Sequence, residues 1–272
     1  LAKWRSDTRS NPPLDHIINL FDFESVAQRC MGKQGWDYYS SGADDELTLR
    51  ENHAAFQRIW LRPRCLVDVS KIDLTATLLG CKSALPVYIT ATALGRLAHP
   101  EGELVLTRAA AARDIIQMCP TLASSTLEEM TQEAHGTGQT QFYQLYVNHD
   151  REVTRNLVQR AERGGCKALF VTVDAPQLGR REKDMRNKFT EAGTDVQKVE
   201  DKDGKVKRSE GTTRAISQFI DPSLTWKDIR WLRSITKLPI VLKGIQRSED
   251  AIMAAREGLD GIVCSNHGGR QM

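Results

Sequence analysis

The hexapeptide Ser265-Asn266-His267-Gly268-Gly269-Arg270 follows the apolar run Gly261-Ile262-Val263-Cys264 and combines residue types that suit proton abstraction from an anion. An imidazole titrates near neutral pH and can take a proton there. A guanidinium three positions on can grip a carboxylate through two parallel hydrogen bonds. The paired glycines let a ligand approach the backbone closely. A short apolar run entered from a helical segment predicts a buried parallel strand. Its polar continuation should then emerge at the carboxyl end, where α/β barrels keep their chemistry. Taken alone, the hexapeptide reads equally well as a capped turn with a solvated His and Arg.

Other apolar runs end in similar residues. Phe170-Val171-Thr172-Val173-Asp174-Ala175-Pro176 leads into Gly179-Arg180-Arg181-Glu182, Tyr143-Gln144-Leu145-Tyr146-Val147 carries an amide and a phenol, and Leu242-Lys243-Gly244 ends on an ammonium. A lysine closing a strand is most often a snorkelling surface group, and an aspartate before Ala-Pro a turn former. Their recurrence at the same end of successive strands is what a shared catalytic rim requires.

The elements that must position these residues alternate regularly. Strands are predicted at 87–90, 115–118, 141–147, 168–173, 240–243 and 261–265, and helices at 101–113, 126–133, 150–163, 225–235 and 248–257. Thr126, Asp150, Thr225 and Ser248 are expected helix N-caps. Ahead of them, residues 1–13 read as a polar arm containing Asn11-Pro12-Pro13. Helices are expected near 22–34 and at 44–56, with a break at Tyr38-Tyr39-Ser40-Ser41-Gly42. Repeated strand and helix units of this length predict a parallel sheet wrapped by helices, closed as a barrel or open and doubly wound. Residues 182–214 are dense in charge and poor in apolar side chains, which predicts a mobile excursion over the active face or a surface loop without a role.

At 272 residues, the chain suits one α/β barrel, which commonly runs to roughly 250 residues. Apolar residues at 40% and charged residues at 27% are ordinary for a globular protein, and no apolar run is long enough to cross a bilayer. A net charge of +3 is too small to argue for nucleic acid. The six cysteines show no C-x-x-C pair and no interleaved histidines, so neither zinc nor a redox dithiol is indicated. Several lie in apolar runs and are expected to be buried thiols.

Tyr38-Tyr39-Ser40-Ser41-Gly42-Ala43, Ala91-Thr92-Ala93, His99-Pro100-Glu101-Gly102-Glu103, Tyr143-Gln144-Leu145-Tyr146-Val147, Thr172-Val173-Asp174-Ala175-Pro176, Lys243-Gly244 and Ser265 to Gln271 together resemble the FMN-dependent 2-hydroxy acid oxidising family. The resemblance runs in order from about residue 14 to the last residue. The stretches Leu14 to Leu20 and Arg214 to Trp226 are most similar to the flavin domain of its fungal flavocytochrome lactate dehydrogenase branch. It implies a (β/α)8 barrel over 14–272, of which about six of the eight units are present, with FMN at the carboxyl ends of the strands. Two further units, expected after Met272, would carry the flavin phosphate site and close the barrel.

The resemblance also implies roles. His267 would be the base, with Asp174 orienting it and raising its pKa. Tyr146 would hydrogen-bond at the reacting oxygen. Arg270, with Tyr38 and Arg181, would bind the substrate carboxylate, while Leu122 and Ala93 would face the substrate side chain. Ala91, Thr92, Ala93, Gln144, Thr172 and Lys243 would line the flavin, the lysine stabilising its anionic reduced form. The implied reaction is oxidation of L-lactate to pyruvate with electrons passed to cytochrome c, in a mitochondrial intermembrane-space homo-oligomer, a tetramer if the domain is whole, whose haem sits in a separate upstream module. The family usually has a hydroxyl residue where this chain has Pro120, which offers no donor. The alternatives are an oxygen-using, glycolate-oxidase-like enzyme, a catalytically inactive truncated fragment, and a Schiff-base aldolase using Lys243. The last is disfavoured because such a lysine needs an apolar pocket.

Overall fold

The computed structural model describes residues 12–187 and 219–271. Nearly all of the expected arm and most of the expected 182–214 excursion lie outside the described residues.

Six parallel strands form one sheet in the order β3 (Tyr88–Ile89), β4 (Ile116–Cys119), β5 (Gln141–Leu145), β6 (Leu169–Thr172), β7 (Ile240–Ile245) and β8 (Gly261–Cys264). Each strand pairs with the next in sequence, and helices α4 (Glu103–Ala111), α5 (Leu127–Ala134), α6 (Arg151–Arg163), α8 (Trp226–Ile235) and α9 (Ser248–Arg256) fill the connections. An antiparallel hairpin, β1 (Ala76–Leu78) and β2 (Cys81–Ser83), precedes the sheet. Its two turn residues, Leu79 and Gly80, both have positive φ, the geometry that matches strand twist. The sequence signal was lost because leucine is not a residue that announces such a turn.

The two-residue side-chain period of the strands sorts the core into layers. Ile116, Met118, Phe142, Ala168, Phe170 and Val241 form one buried cluster on the concave face, with the Phe142 and Phe170 rings stacked at 5.1 Å. The alternate residues, among them Leu145, Leu169, Val171, Ile240 and Leu242, form the larger cluster beneath the helices. Each fully buried side chain of this size contributes roughly 1.5–3 kcal/mol, so the two layers fix strand register firmly. Helix α6 shows why the helices face inward: Thr154, Leu157, Val158 and Ala161 are its buried residues, at helical spacing on one side.

Capping follows the sequence with one exception. Thr126 and Thr225 close capping boxes with Glu129 and Asp228, and the Asp150 carboxylate accepts from the Glu152 amide. Ser248, however, is the first helical residue of α9, and Arg247 stands at the cap without a side-chain hydrogen bond. The charge run behind Ser248 conceals the boundary.

Three further expectations need correction. Helices α1 (Leu20–Cys30) and α2 (Lys33–Ser40) are separate, and α2 runs through Tyr38 and Tyr39 where a break was expected. Residues Glu182–Arg186 form a short helix, α7, in the excursion's first turn: the Asp184 side chain is buried, and Asn187 donates to Asp37 of α2. Strand β8 is not a buried run, since Ile262 and Cys264 are exposed while Gly261 and Val263 are half-buried. Among the described residues it pairs with β7 alone. Among the cysteines, Cys119 and Cys166 are the buried thiols, and burial pushes Cys166 up to about 12.

Candidate active site

The concave face of the sheet ends in polar residues for a reason visible in the strand period. Phe142, Phe170 and Val241 point into the inner core, so Gln144, Thr172 and Lys243, two positions on, share that face at the carboxyl ends of β5, β6 and β7. Thr172 pairs directly with Lys243 in register. The Gln144 side-chain amide donates to the Thr172 hydroxyl at 2.9 Å, and its carbonyl oxygen accepts from the Thr121 amide at 3.1 Å. Lys243 is half-buried, and among the described residues its ammonium makes no hydrogen bond or ion pair. Burial holds its ammonium below the usual pKa, partly offset by Asp174.

His267 sits just beyond β8 in a tight turn, His267–Gly269, where it, Gly268 and Gly269 all have positive φ. A non-glycine residue there carries strain on the order of 1–3 kcal/mol. The turn is held by Asn266, whose side chain accepts from the Gly269 amide, and by reciprocal amide contacts between Asn266 and Asn52. Asn52 belongs to α3 (Leu47–Ala54).

This turn aims the imidazole in two directions. Nδ1 lies 2.7 Å from Oδ1 of Asp174, and Nε2 lies 3.2 Å from the Tyr146 hydroxyl. The other Asp174 oxygen, Oδ2, is buried without a hydrogen-bond partner among the described residues. Gly244 makes room for this carboxylate: its φ is +114°, and a Cβ there would lie 2.5 Å from Asp174 Cβ. Contrary to expectation, His267 is held below its ordinary pKa. Burial is the larger cause, with Lys243 and Arg181 adding to it, and together they outweigh the Asp174 contact that raises it. The ring is therefore neutral at neutral pH, the form a proton acceptor needs.

Arg270 donates from Nη1 to the Tyr39 carbonyl at 2.8 Å and from Nη2 to the Tyr38 carbonyl at 2.6 Å. The guanidinium thus closes the C-terminal end of α2, where the helix dipole favours a cation. Two of its five N–H groups are spent on backbone carbonyls. Arg270 and Arg181 both approach the Tyr38 ring, at 4.9 and 5.9 Å from its centroid. Burial and the neighbouring Arg181 lower Arg270 to about 10.

Several residues that carry this arrangement were not singled out from the sequence. Gln271 donates to the carbonyls of Asp174 and Gln177 and accepts from the Gly179 amide, which ties the β6 loop to the turn. The Thr121 hydroxyl donates to the Gln144 carbonyl and accepts from the Tyr146 amide, so the hydroxyl beside Pro120 is already engaged. Of the residues expected to line a flavin or the substrate side chain, Ala91 packs in the inner core. The carbonyl of Ala93 lies 3.0 Å from the Tyr39 hydroxyl. Leu122 is buried, and its carbonyl accepts from Leu94. Thr92 is exposed and is not drawn into the cluster.

Comparison with known proteins agrees with this architecture. The family described as FMN-dependent dehydrogenase matches residues 27–272. The chain is 53% identical to an L-lactate dehydrogenase (cytochrome) of Wickerhamomyces anomalus, over 96% of this chain and 45% of that protein. It is 45% identical to a glycolate oxidase of Spinacia oleracea, over 94% of this chain and 70% of that protein. Among solved structures, the recombinant flavin-binding domain of baker's yeast flavocytochrome b2 superposes with a TM-score of 0.84 at 51% identity, covering 96% of this chain and 62% of that one. The chain thus spans under half the length of the first of these relatives.

Proposed function

The chain belongs to the FMN-dependent dehydrogenase family, and from that premise we propose that it oxidises an L-2-hydroxy acid, L-lactate to pyruvate, and passes the electrons to cytochrome c. The observation that carries this reading is the Asp174–His267–Tyr146 chain of contacts at 2.7 and 3.2 Å, with Lys243 and Arg181 acting on the imidazole and Arg270 on the Tyr146 phenol. A neutral imidazole among three cations suits an anionic substrate that must give up a proton.

The residues present fit FMN. Gln144, Thr172 and Lys243 offer an amide, a hydroxyl and an ammonium on one face, and Ala91 and Ala93 add backbone at the neighbouring strand end. When bound, FMN supplies the two-electron acceptor that a hydroxy acid oxidation needs. His267 Nε2 receives the proton, and Asp174 stabilises the imidazolium that forms and fixes which nitrogen stays protonated. Tyr146 hydrogen-bonds at the substrate oxygen. Arg270 binds the carboxylate, assisted by Arg181, and both guanidinium groups approach the Tyr38 ring. Lys243 adds positive charge to the flavin face. Ala93 and Leu122 bound the space for the substrate side chain.

The cytochrome acceptor draws support from the 53% identity to a cytochrome-linked enzyme, against 45% to a glycolate oxidase. Placement in the mitochondrial intermembrane space and a homo-oligomeric assembly rest on the sequence resemblance. The test is anaerobic mixing of the FMN-loaded protein with L-lactate or glycolate, followed by ferricytochrome c or oxygen. Bleaching by L-lactate with one pyruvate per flavin, and faster reoxidation by the cytochrome, are expected. Preference for glycolate would overturn the substrate, and preference for oxygen would overturn the acceptor.

A further inference from the structure

A buried carboxylate near the site belongs to a residue without an assigned part in the chemistry. Glu103, the first residue of α4, is 1% exposed, and among the described residues it forms no ion pair. Backbone amides satisfy it instead. Oε1 accepts from Gly95 at 2.7 Å and from Ser124 at 2.9 Å, and Oε2 accepts from Ser125 at 3.0 Å. The carboxylate also sits at the N-terminus of α4, which favours a negative charge. A buried charge held this way is expensive to disturb, because each donor loses a charge-assisted bond and is left without water.

The three amides lie on two loops. Residues 93–96 follow β3 and residues 122–125 follow β4, and further bonds join them: the Leu94 amide to the Leu122 carbonyl, and the Arg96 amide to the Ser124 hydroxyl. Leu94 is held at φ +61°, a conformation leucine rarely adopts without such support. The first loop sits so close to Glu103 that a Cβ on Gly95 would lie 2.9 Å from its carboxyl carbon. These loops carry Ala93 and Leu122, the two residues that bound the substrate side chain in the reading above, on which this inference rests.

We propose that Glu103 is a positioning residue for substrate selectivity, its carboxylate setting the separation of the two loops and hence the largest side chain the hydroxy acid can carry. It does not touch the reacting atoms. Replacing it therefore changes which substrate is preferred and leaves the proton chemistry of His267 as it was.

The test compares Glu103→Gln with the unsubstituted FMN-loaded protein. A glutamine keeps the shape but turns one acceptor into a donor facing an amide. The ratio of kcat/KM for a 2-hydroxy acid with a phenyl side chain to that for L-lactate is expected to rise at least tenfold. The acid limb of the pH profile should stay in place, and amide exchange at Gly95, Ser124 and Ser125 should quicken at least tenfold. Should that variant fail to fold, Gly95→Ala pries the same contact and is expected to shift the same ratio. An equal fall for both substrates, or unchanged exchange at these amides, overturns the proposal. If the unsubstituted protein oxidises no hydroxy acid, the functional reading fails, while the exchange measurement still decides whether Glu103 holds the two loops together.

Discussion

Oδ1 of Asp174 lies 2.7 Å from Nδ1 of His267 across 93 residues of sequence, yet burial still holds the imidazole below its ordinary pKa. The carboxylate therefore offsets only part of the burial cost of protonating the ring. That relationship sets most of what can be measured.

With the charge of Asp174 removed, the force that raises the histidine is lost and burial acts unopposed. Asp174→Asn should slow flavin reduction by about 10²–10⁴-fold, the usual worth of an acid/base group. It should also move the acid limb of the pH profile further down. Stopped-flow reduction across pH measures both effects.

Lys243 acts on the same ring with the opposite sign, since its positive charge lowers the histidine. Lys243→Met should therefore raise the acid limb while slowing reduction, because positive charge is lost beside the flavin. Opposite movement of the limb in the two variants is the signature. Movement in the same direction would contradict the electrostatic picture.

Stability should carry the same imprint. The folded-state pKa of His267 is depressed below 6.5, so the unfolded chain binds more protons between the two values. Stability from this group is complete above about pH 6.5 and is lost as pH falls through the folded value. Denaturation midpoints of His267→Gln against the unsubstituted protein between pH 7 and 5 should show a shallower decline in the variant.

Arg270→Lys should weaken both fold and substrate binding. An ammonium cannot reach the carbonyls of Tyr38 and Tyr39 together while serving a carboxylate. Each lost bond to a charged donor costs about 1.5–3 kcal/mol, and KM for L-lactate should rise on the order of tenfold or more. Denaturation and steady-state kinetics check the two parts separately.

Much of the fold was legible because alternation of apolar runs and capped helices is a local signal. All six parallel strands lie where periodicity put them, within a few residues. Gln144, Thr172 and Lys243 could even be placed on one face by counting in twos from Phe142, Phe170 and Val241. What stayed illegible depends on distant backbone. Arg270 binds carbonyls 231 and 232 positions away, and a carbonyl has no sequence signature. The Glu103 contacts are likewise to amides, and the hairpin at Leu79-Gly80 uses a leucine where asparagine would have been the cue. The direction of the His267 shift was misjudged because the sequence reveals the carboxylate partner but not the burial opposing it.

Whether His267 takes the substrate proton is read most directly from the anaerobic rate at which L-lactate bleaches bound FMN in His267→Gln. The variant should retain its flavin, with reduction slowed by about 10²–10⁴-fold. Reduction at the unsubstituted rate, with flavin fully bound, would contradict that role for His267.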